Sequence, residues 1–461
     1  MFVRRPLDGS VLSSNRESVS PLFTAETPET PTILLLGTCD TKYPELSFTR
    51  QSILTHTNPI PTVLLMDVGR QQPPSTTPDP NHPDIKIDIP TLTTTTDGQP
   101  LATLQRAEYI HQISVHATTI VRDLYQKGQI HGIISIGGSC GTNIATAAMR
   151  GGLPVGFPKM MVSTMASGDI KAYVEETDIT MMYSVVDIAG RNWILEGILR
   201  NAGNAVWAMA LGYFQALRAR NQVGGQREME KGKGKGKKRV GVTMFGVTTP
   251  CVDRLRARLE EGHGCEVYVF HATGAGGKAM ERLVREGQLD AVVDLTTSEV
   301  VDEVMGGVLS AGPERLSGAA KAGIPQVVSV GACDMANFGA PDSVPDRYRG
   351  RLTYEHNPTV TLVRANAEET KEIARFIAEK LRRYAVRPEL IQVVLPTGGI
   401  SLIDTPGQPF HDPEVDEVLF STLEKELEGS GIKILRDQRD INDPDFAVRV
   451  ADMMGDMVKP L

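Results

Sequence analysis

The chain has 461 residues, more than one compact core usually holds, so two or three domains are expected. Hydrophobic residues make up 41% and charged residues 23%, an ordinary composition for a globular protein with a sizeable core. The net charge of −8 disfavours non-specific binding to nucleic acid.

Breaks in composition divide the chain into two lobes. Residues 1–30 are rich in Ser, Thr, Pro and Glu without periodicity, which predicts a flexible tail. Residues 222–239 (QVGGQREMEKGKGKGKKR) are rich in Gly and Lys and predict a basic interdomain linker. The first lobe therefore spans 31–221, with a Pro-rich surface loop at 71–83, and the second lobe spans 240–461.

Short β-branched runs alternate with longer helical patterns in each lobe. The first lobe has predicted strands at 32–36, 62–67 and 132–136, and predicted helices at 45–55, 104–126, 143–150 and 192–218. The second lobe has predicted strands at 239–244, 266–270, 291–294, 326–330, 359–362 and 391–395, and predicted helices at 252–260, 278–285, 368–383, 414–427 and 445–457. This alternation predicts an α/β fold with two Rossmann-like lobes, whose mostly parallel sheets we expect to face a common cleft.

The loop GGSCGT, at 137–142, carries the clearest chemical signal in the first lobe. It follows a predicted strand and opens a helix, so several backbone N–H groups point outward at the positive end of the helix dipole. Its glycines let a ligand approach the backbone, while Ser139 and Thr142 supply hydroxyl donors. The loop therefore favours a phosphate ligand, although it lacks the lysine of a Walker A motif and a plain strand-to-helix turn stays open.

Other predicted strand ends carry related residues. GTCDTK, at 37–42, offers Lys42 as a cation and Asp40 for a metal ion or a ribose, and the stretch 163–169 lies where it can close over the ligand. HATGAGGK, at 271–278, is a second glycine loop with a lysine. The predicted ligand-binding residues are Gly37, Thr38, Asp40, Thr41, Lys42, Gly137, Gly138, Ser139, Gly141, Thr142, Ser167, Gly168, Asp169, Gly274, Gly276 and Gly277.

Candidate catalytic groups follow the strands of the second lobe. His271, Glu299 and Asp334 are acid–base candidates for an enzyme that acts on a small phosphorylated or acyl metabolite. Gly137, Ser139 and Gly141 also fit the G-x-S-x-G pattern, so a serine hydrolase is a rival interpretation. That rival needs a histidine partner, for which His271, His356 and His411 are available.

Carboxylates at predicted loop starts suit a hard cation. Asp40 and Asp169 are the candidate ligands for Mg²⁺, which favours carboxylate, water and phosphate oxygens. Spacing alone does not bring them together, and capping or turn roles stay open for each. No zinc or calcium motif occurs in the sequence.

The cysteines and apolar runs bear on location. The five cysteines are scattered and form no C-x-x-C pair, which favours a reduced compartment over a disulfide framework. The first residues lack an apolar signal core, and the longest apolar runs fall far short of the roughly 20 residues that span a bilayer. We therefore expect a cytoplasmic protein without a membrane partner.

Several motifs together resemble one known family. GTCDTK, IGGSCGTNIAT, GFPKMMVSTMASGD, FHATGAGGKAME, GACDMANFG and LPTGGISLID are similar to those of UPF0261, the Tm-1-like ATP-binding domain family, along nearly the whole ordered chain. The resemblance implies a protein of two Rossmann-like subdomains that binds ATP with Mg²⁺ and forms homo-oligomers. It implies no particular reaction. Cys140 departs from the pattern, because a glycine is expected there, and the basic insertion at 222–239 is unusually long.

The leading interpretation is a nucleotide-binding protein that takes ATP with Mg²⁺. One alternative is the enzyme described above, with its small-molecule substrate in the cleft between the lobes. A second alternative is a non-catalytic protein whose nucleotide regulates an oligomer. No nucleic-acid partner is expected.

Overall fold

The computed structural model describes residues 28–70, 85–89, 99–229 and 236–459. The predicted loop at 71–83, residues 1–27 of the predicted tail and residues 230–235 of the predicted linker lie outside the described residues. The described residues divide between two compact units. The first takes those within Met1–Tyr173 and Ile179–Gly224, and the second takes those within Val174–Asp178 and Gly225–Leu461.

The first unit is built on a six-stranded parallel sheet. Its strands are β1 (Thr32–Gly37), β2 (Thr62–Asp67), β3 (Ile85–Asp88), β4 (Gly132–Gly137), β5 (Lys159–Ser163) and β6 (Thr180–Tyr183). Its helices are α1 (Cys39–Leu54), α2 (Arg106–Gln126), α3 (Ser139–Gly152), α4 (Lys171–Val174) and α5 (Trp193–Met229). The strand order is β3-β2-β1-β4-β5-β6, the arrangement of a Rossmann dinucleotide-binding sheet.

Burial explains why the central elements form as they do. Strands β1 and β4 are buried along their whole length, as expected for parallel strands covered on both faces. Helix α2 buries five residues spaced three or four apart, which places them on one face of the helix. These residues are Tyr109, Ile113, Ala117, Val121 and Leu124.

Three strands of the first unit were not predicted from the sequence. Strands β3 and β6 have only four residues each, too few to show an alternation. Strand β5 begins with Lys159, a residue that argues against a buried strand. Its ammonium group is nevertheless buried, because it donates to the carbonyl oxygens of Pro154 (2.7 Å) and Phe157 (3.0 Å).

The second unit contains a six-stranded parallel sheet and a small antiparallel sheet. The parallel sheet has the order β15-β14-β10-β9-β7-β8, from β7 (Arg239–Met244), β8 (Glu266–His271), β9 (Ala291–Thr296), β10 (Gln326–Gly331), β14 (Ile391–Pro396) and β15 (Lys433–Asp437). The antiparallel sheet contains β11 (Met335–Phe338), β12 (Thr353–Asn357) and β13 (Val360–Arg364). The helices are α6 (Thr249–Ala257), α7 (Ala275–Arg285), α8 (Ser298–Met305), α9 (Gly318–Ala322), α10 (Ala367–Tyr384), α11 (Pro413–Leu427) and α12 (Pro444–Val458).

The α/β class with two mostly parallel, Rossmann-like sheets is thus confirmed. Two details differ from the sequence-based prediction. The strand predicted at 359–362 belongs to the small antiparallel sheet, as β13, since its hydrogen-bonding partners are β11 and β12. Helix α5 continues through residues 222–229, so the first part of the predicted linker is helical.

The start of α7 tolerates no side chain at Gly276. A Cβ atom there would lie 1.9 Å from the carbonyl oxygen of His271, which is backbone and cannot rotate away. We expect Gly276→Ala to lower the free energy of unfolding by more than about 2 kcal/mol, as overpacked substitutions do. Gly246→Ala is the matched control because a Cβ atom there meets nothing within 4 Å. Urea unfolding followed by circular dichroism measures both, and equal stabilities would contradict the prediction.

Candidate functional site

The strand order of the first unit brings two of the predicted loops together. The order reverses between β1 and β4, and open parallel sheets bind ligands at such a switch point, outside the carboxyl ends of the strands. A cavity of about 410 Å³ lies there, within the roughly 300–1,000 Å³ range of small-molecule sites. The predicted residues that line it are Thr38, Asp40, Thr41, Lys42, Gly138, Ser139 and Gly141.

The N-terminus of α3 forms one wall of this cavity. Gly138 is the N-cap, and the first backbone hydrogen bond of the helix runs from the N–H of Thr142 to the carbonyl of Gly138 (2.9 Å). The N–H groups of Ser139, Cys140 and Gly141 therefore have no acceptor within the helix. A Cβ atom on Gly137 would lie 3.2 Å from the Cα of Gly141, so this glycine pair lets the helix start close to the end of β4.

Thr142 and Gly137 belong to the same loop but are not among the described residues that line the cavity. The Thr142 hydroxyl is buried, donates to the carbonyl of Gly138 (2.8 Å) and lies 2.6 Å from the Ser163 hydroxyl. Ser163 in turn accepts the N–H of Met165 (2.9 Å). Thr142 thus joins the end of β4 to the end of β5, and its predicted ligand role stays a prediction.

Two carboxylates shape the other wall. Asp67, at the end of β2, accepts the N–H groups of Cys39 (2.9 Å) and Gly69 (2.7 Å) on one oxygen. Asp40 accepts the N–H of Arg70 (2.9 Å). Burial raises the pKa of Asp67 to about 6, against the lowering effect of its two backbone hydrogen bonds. Both side chains therefore tie the loop after β2 to the start of α1.

The cavity also contains cations that sequence reasoning missed. Arg70 and Arg106 line it together with Lys42 and Tyr109. Arg70 donates to the carbonyl of Leu104 and lies over the ring of Tyr109, with its guanidinium carbon 5.9 Å from the ring centre. The guanidinium of Arg106 donates to the sulfur of Cys140 (2.8 Å). An arginine after a strand or at a helix start carries no signal of its own, and only the strand order places these two here.

The remaining predicted residues of the first unit lie apart from the described cavity lining. Gly37 ends β1, beneath the side chain of Leu46. Ser167, Gly168 and Asp169 are exposed after β5, and Asp169 accepts the N–H of Lys171 (2.9 Å). The role of these residues in closing over a ligand stays a prediction.

The glycine loop of the second unit already contains a carboxylate. The N–H groups of Gly274 and Gly277 donate to one oxygen of Glu299, at 2.7 and 2.9 Å. A Cβ atom on Gly277 would lie 2.0 Å from the other oxygen of Glu299, so the glycine is required by this close approach. An internal anion thus occupies the position that the sequence assigned to a phosphate.

Arg315 joins Glu299 to two further buried acids. Its guanidinium lies 2.8 Å from Glu299, 2.7 Å from Asp294 and 3.2 Å from Glu281, and the four side chains are at most 6% exposed. Burial alone would lower the pKa of Arg315, but the three carboxylates raise it above its ordinary value. Glu281 also accepts two backbone N–H groups at 2.6 Å, so it holds the chain before α9. Glu299 therefore has a full set of structural partners, and its catalytic role stays a prediction.

Asp334 belongs to a second buried acidic cluster. It accepts the hydroxyl of Ser401 (2.9 Å), while Arg364 contacts Asp416 (2.7 Å) and Asp404 (3.6 Å). Burial and the nearby Asp404 raise the pKa of Asp334 to about 7, and the same two causes raise the pKa of Asp416 to about 9. These groups hold the loops after β10 and β14 together.

The histidine candidates do not reach the cavity of the first unit. His271 is exposed at the end of β8, with its ring 5.6 Å from that of Phe245. None of the described residues that line the cavity is a histidine. Ser139 is exposed at the start of α3, and the geometry within the first unit gives it no base for a hydrolase.

A divalent metal ion finds few ligands in the described part of the chain. No group of three or more His, Cys, Asp or Glu side chains there is arranged to hold a metal. Among the described cavity residues the sole carboxylate is Asp40, which already holds the backbone of Arg70. The residues therefore do not fit a protein-held Mg²⁺. A helix that crosses a membrane is also not found within the described ranges.

Comparison with known proteins places both halves of the chain in one sequence family. The N-terminal domain of the uncharacterised protein family UPF0261 matches residues 31–215, and its C-terminal domain matches residues 237–458. A UPF0261 protein of Clostridium tetani is 41% identical over 93% of this chain and 99% of its own length. The ToMV resistance protein Tm-1 of Solanum lycopersicum is 41% identical over 70% of this chain and 41% of its own length.

Likeness to solved structures is weak. A UDP-N-acetylglucosamine 2-epimerase is 10% identical, with a TM-score of 0.21 over 65% of this chain and 79% of that protein.

The acidic cluster around Arg364 generates a prediction about pH. A carboxyl whose pKa is raised by folding stabilises the folded state below its unfolded pKa, near 4, and this contribution is lost as pH rises through the folded value. Stability should therefore fall as pH rises towards about 9, where Asp416 loses its proton.

Asp416→Asn should reduce that fall, because the amide cannot ionise. Urea unfolding of both proteins at about pH 6 and about pH 9 measures the difference. Asp342→Asn, at an exposed position, is the control and should leave the pH dependence unchanged. An equally steep fall in Asp416→Asn and the unmodified protein would disprove the assignment.

Proposed function

The chain belongs to the UPF0261 family, and we propose that its first unit binds a nucleotide, with ATP as the leading candidate, through phosphate groups at the start of α3. One observation carries the proposal. Two loops about a hundred residues apart in sequence, 37–42 and 137–142, line a single cavity at the switch point of a sheet with Rossmann strand order.

The N-terminus of α3 supplies the anion-binding groups in this proposal. The helix is 14 residues long, so its aligned peptide dipoles give a partial positive charge at the end that faces the cavity. The N–H groups of the first turn are available to phosphate oxygens, and glycine at 138 and 141 leaves room for a close approach. Ser139 adds an exposed hydroxyl beside them.

The opposite wall suits the rest of a nucleotide. Val68, Ile110 and Ile144 line the cavity with Tyr109, and such apolar surface accommodates a base. The Tyr109 hydroxyl donates to the carbonyl oxygens of Val68 (2.9 Å) and Gly69 (2.7 Å), which fixes the ring in place. The combination of an apolar wall and a polar, cationic wall supports a ligand with both characters.

The family resemblance selects ATP among nucleotides. UPF0261 chains resemble Tm-1-like ATP-binding domains, and the loops that carry this resemblance are the ones that line the cavity. We propose binding and no reaction, because Glu299 and Asp334 are buried with internal partners. Oligomer formation, a small-molecule substrate and a cytoplasmic location stay predictions.

Ser139→Glu separates binding from stability. A carboxylate in the first turn of α3 interacts favourably with the helix dipole, so the variant should be at least as stable as the unmodified protein. The same carboxylate would repel phosphate from the cavity wall, and we expect ATP affinity to fall by at least about tenfold. Isothermal titration calorimetry measures the affinity, and thermal unfolding checks the fold.

Thr119→Glu is the control for charge alone. Thr119 is exposed on α2 and is not among the described residues that line the cavity, so its substitution should leave ATP binding unchanged. Failure of the unmodified protein to bind ATP, or undiminished binding by Ser139→Glu, would refute the proposal.

A further inference from the structure

We infer that the cavity of the first unit neutralises the phosphate chain with Lys42, Arg70 and Arg106, so that binding needs no Mg²⁺ held by the protein. The inference rests on the proposed function. It departs from the Mg²⁺ dependence that the family resemblance implies, because the ligand set of the cavity does not suit this ion.

The charges that face the cavity support the inference. Three cationic side chains and one carboxylate are present among the described residues that line it. A magnesium site in a nucleotide-binding protein reverses this balance, since the ion is held by one or two carboxylates together with the phosphate oxygens. A cavity with excess positive charge instead binds the phosphate oxygens directly.

The one carboxylate on the cavity wall has a structural task. One oxygen of Asp40 accepts the N–H of Arg70 (2.9 Å), and the other lies so close to Gly69 that a Cβ atom there would be 2.6 Å away. Mg²⁺ demands near-ideal octahedral geometry at about 2.0–2.1 Å. Turning Asp40 towards a metal would therefore release the backbone after β2.

The neighbouring carboxylates are also engaged. Asp67 is 2% exposed, and one of its oxygens already accepts two N–H groups, from Cys39 and Gly69. Asp169 accepts the N–H of Lys171 and is not among the described cavity residues. Neither side chain is placed to complete a metal site with Asp40.

Arg106 is the cation with the most to gain from a phosphate. Its guanidinium is exposed and donates to the sulfur of Cys140, at 2.8 Å from one nitrogen and 3.3 Å from another. Sulfur is a weak acceptor, whereas a phosphate accepts two parallel hydrogen bonds from a guanidinium. Cys140 is itself the second residue of α3, so Arg106 stands beside the helix start where the phosphate is proposed to bind.

Calorimetric titration with ATP tests the inference in two buffers, one with excess EDTA and one with excess MgCl₂. We expect binding in both, and we expect Arg106→Ala to weaken it by at least about tenfold in EDTA. Arg106→Lys, which keeps the charge but not the planar fork, should fall between the two. Arg122→Ala is the matched control, because Arg122 also lies on α2, donates to a backbone carbonyl (Gly151, 2.7 Å) and does not line the described cavity.

The outcomes separate the two proposals. Binding in EDTA that Arg106→Ala weakens and Arg122→Ala preserves supports the inference. Binding that requires MgCl₂ would overturn the inference and leave the proposed function intact. Absence of binding in both buffers would overturn the proposed function and the inference with it.

Discussion

Parallel strand pairing is the constraint on which the rest of each unit depends. When every strand of a sheet runs in the same direction, each crossover helix must begin at the same edge, so the loops after the strands collect there. In the first unit this brings 37–42 and 137–142 to one cavity, although about a hundred residues separate them. In the second unit it brings the loops after β8 and β9 close enough for Glu299 to accept the N–H groups of Gly274 and Gly277.

The two glycine loops show how a similar local signal leads to different outcomes. Each opens a helix and presents N–H groups at the positive end of its dipole, which is a favourable place for an anion. In the second unit that anion is Glu299, held in turn by Arg315. In the first unit the loop faces a cavity with Lys42, Arg70 and Arg106. The difference lies in what the neighbouring strand delivers: a glutamate one residue into α8 in one case, and open space in the other.

Buried acids outnumber buried bases in the second unit, and this has consequences for its candidate catalytic groups. Three carboxylates surround Arg315, and three more lie around Arg364. Burial of a carboxylate without a full charge partner favours the protonated form, which is why the pKa values of Asp334 and Asp416 are raised. A raised pKa in a buried cluster that joins loops is a structural property here, and it supplies no argument for catalysis by itself.

The sequence by itself determined the fold class, the two glycine loops and most strands of the parallel sheets. These follow from local physics, because fully buried strands need continuous apolar runs and helix starts need small or polar residues. It did not show strands as short as β3 and β6 or one that begins with a lysine, such as β5. Only the tertiary structure decided that Arg70 and Arg106 join the first loop pair, that Thr142 turns inward and that Glu299 fills the second glycine loop. Strand order determines which loops meet, and strand order depends on pairings between distant segments that no local pattern encodes.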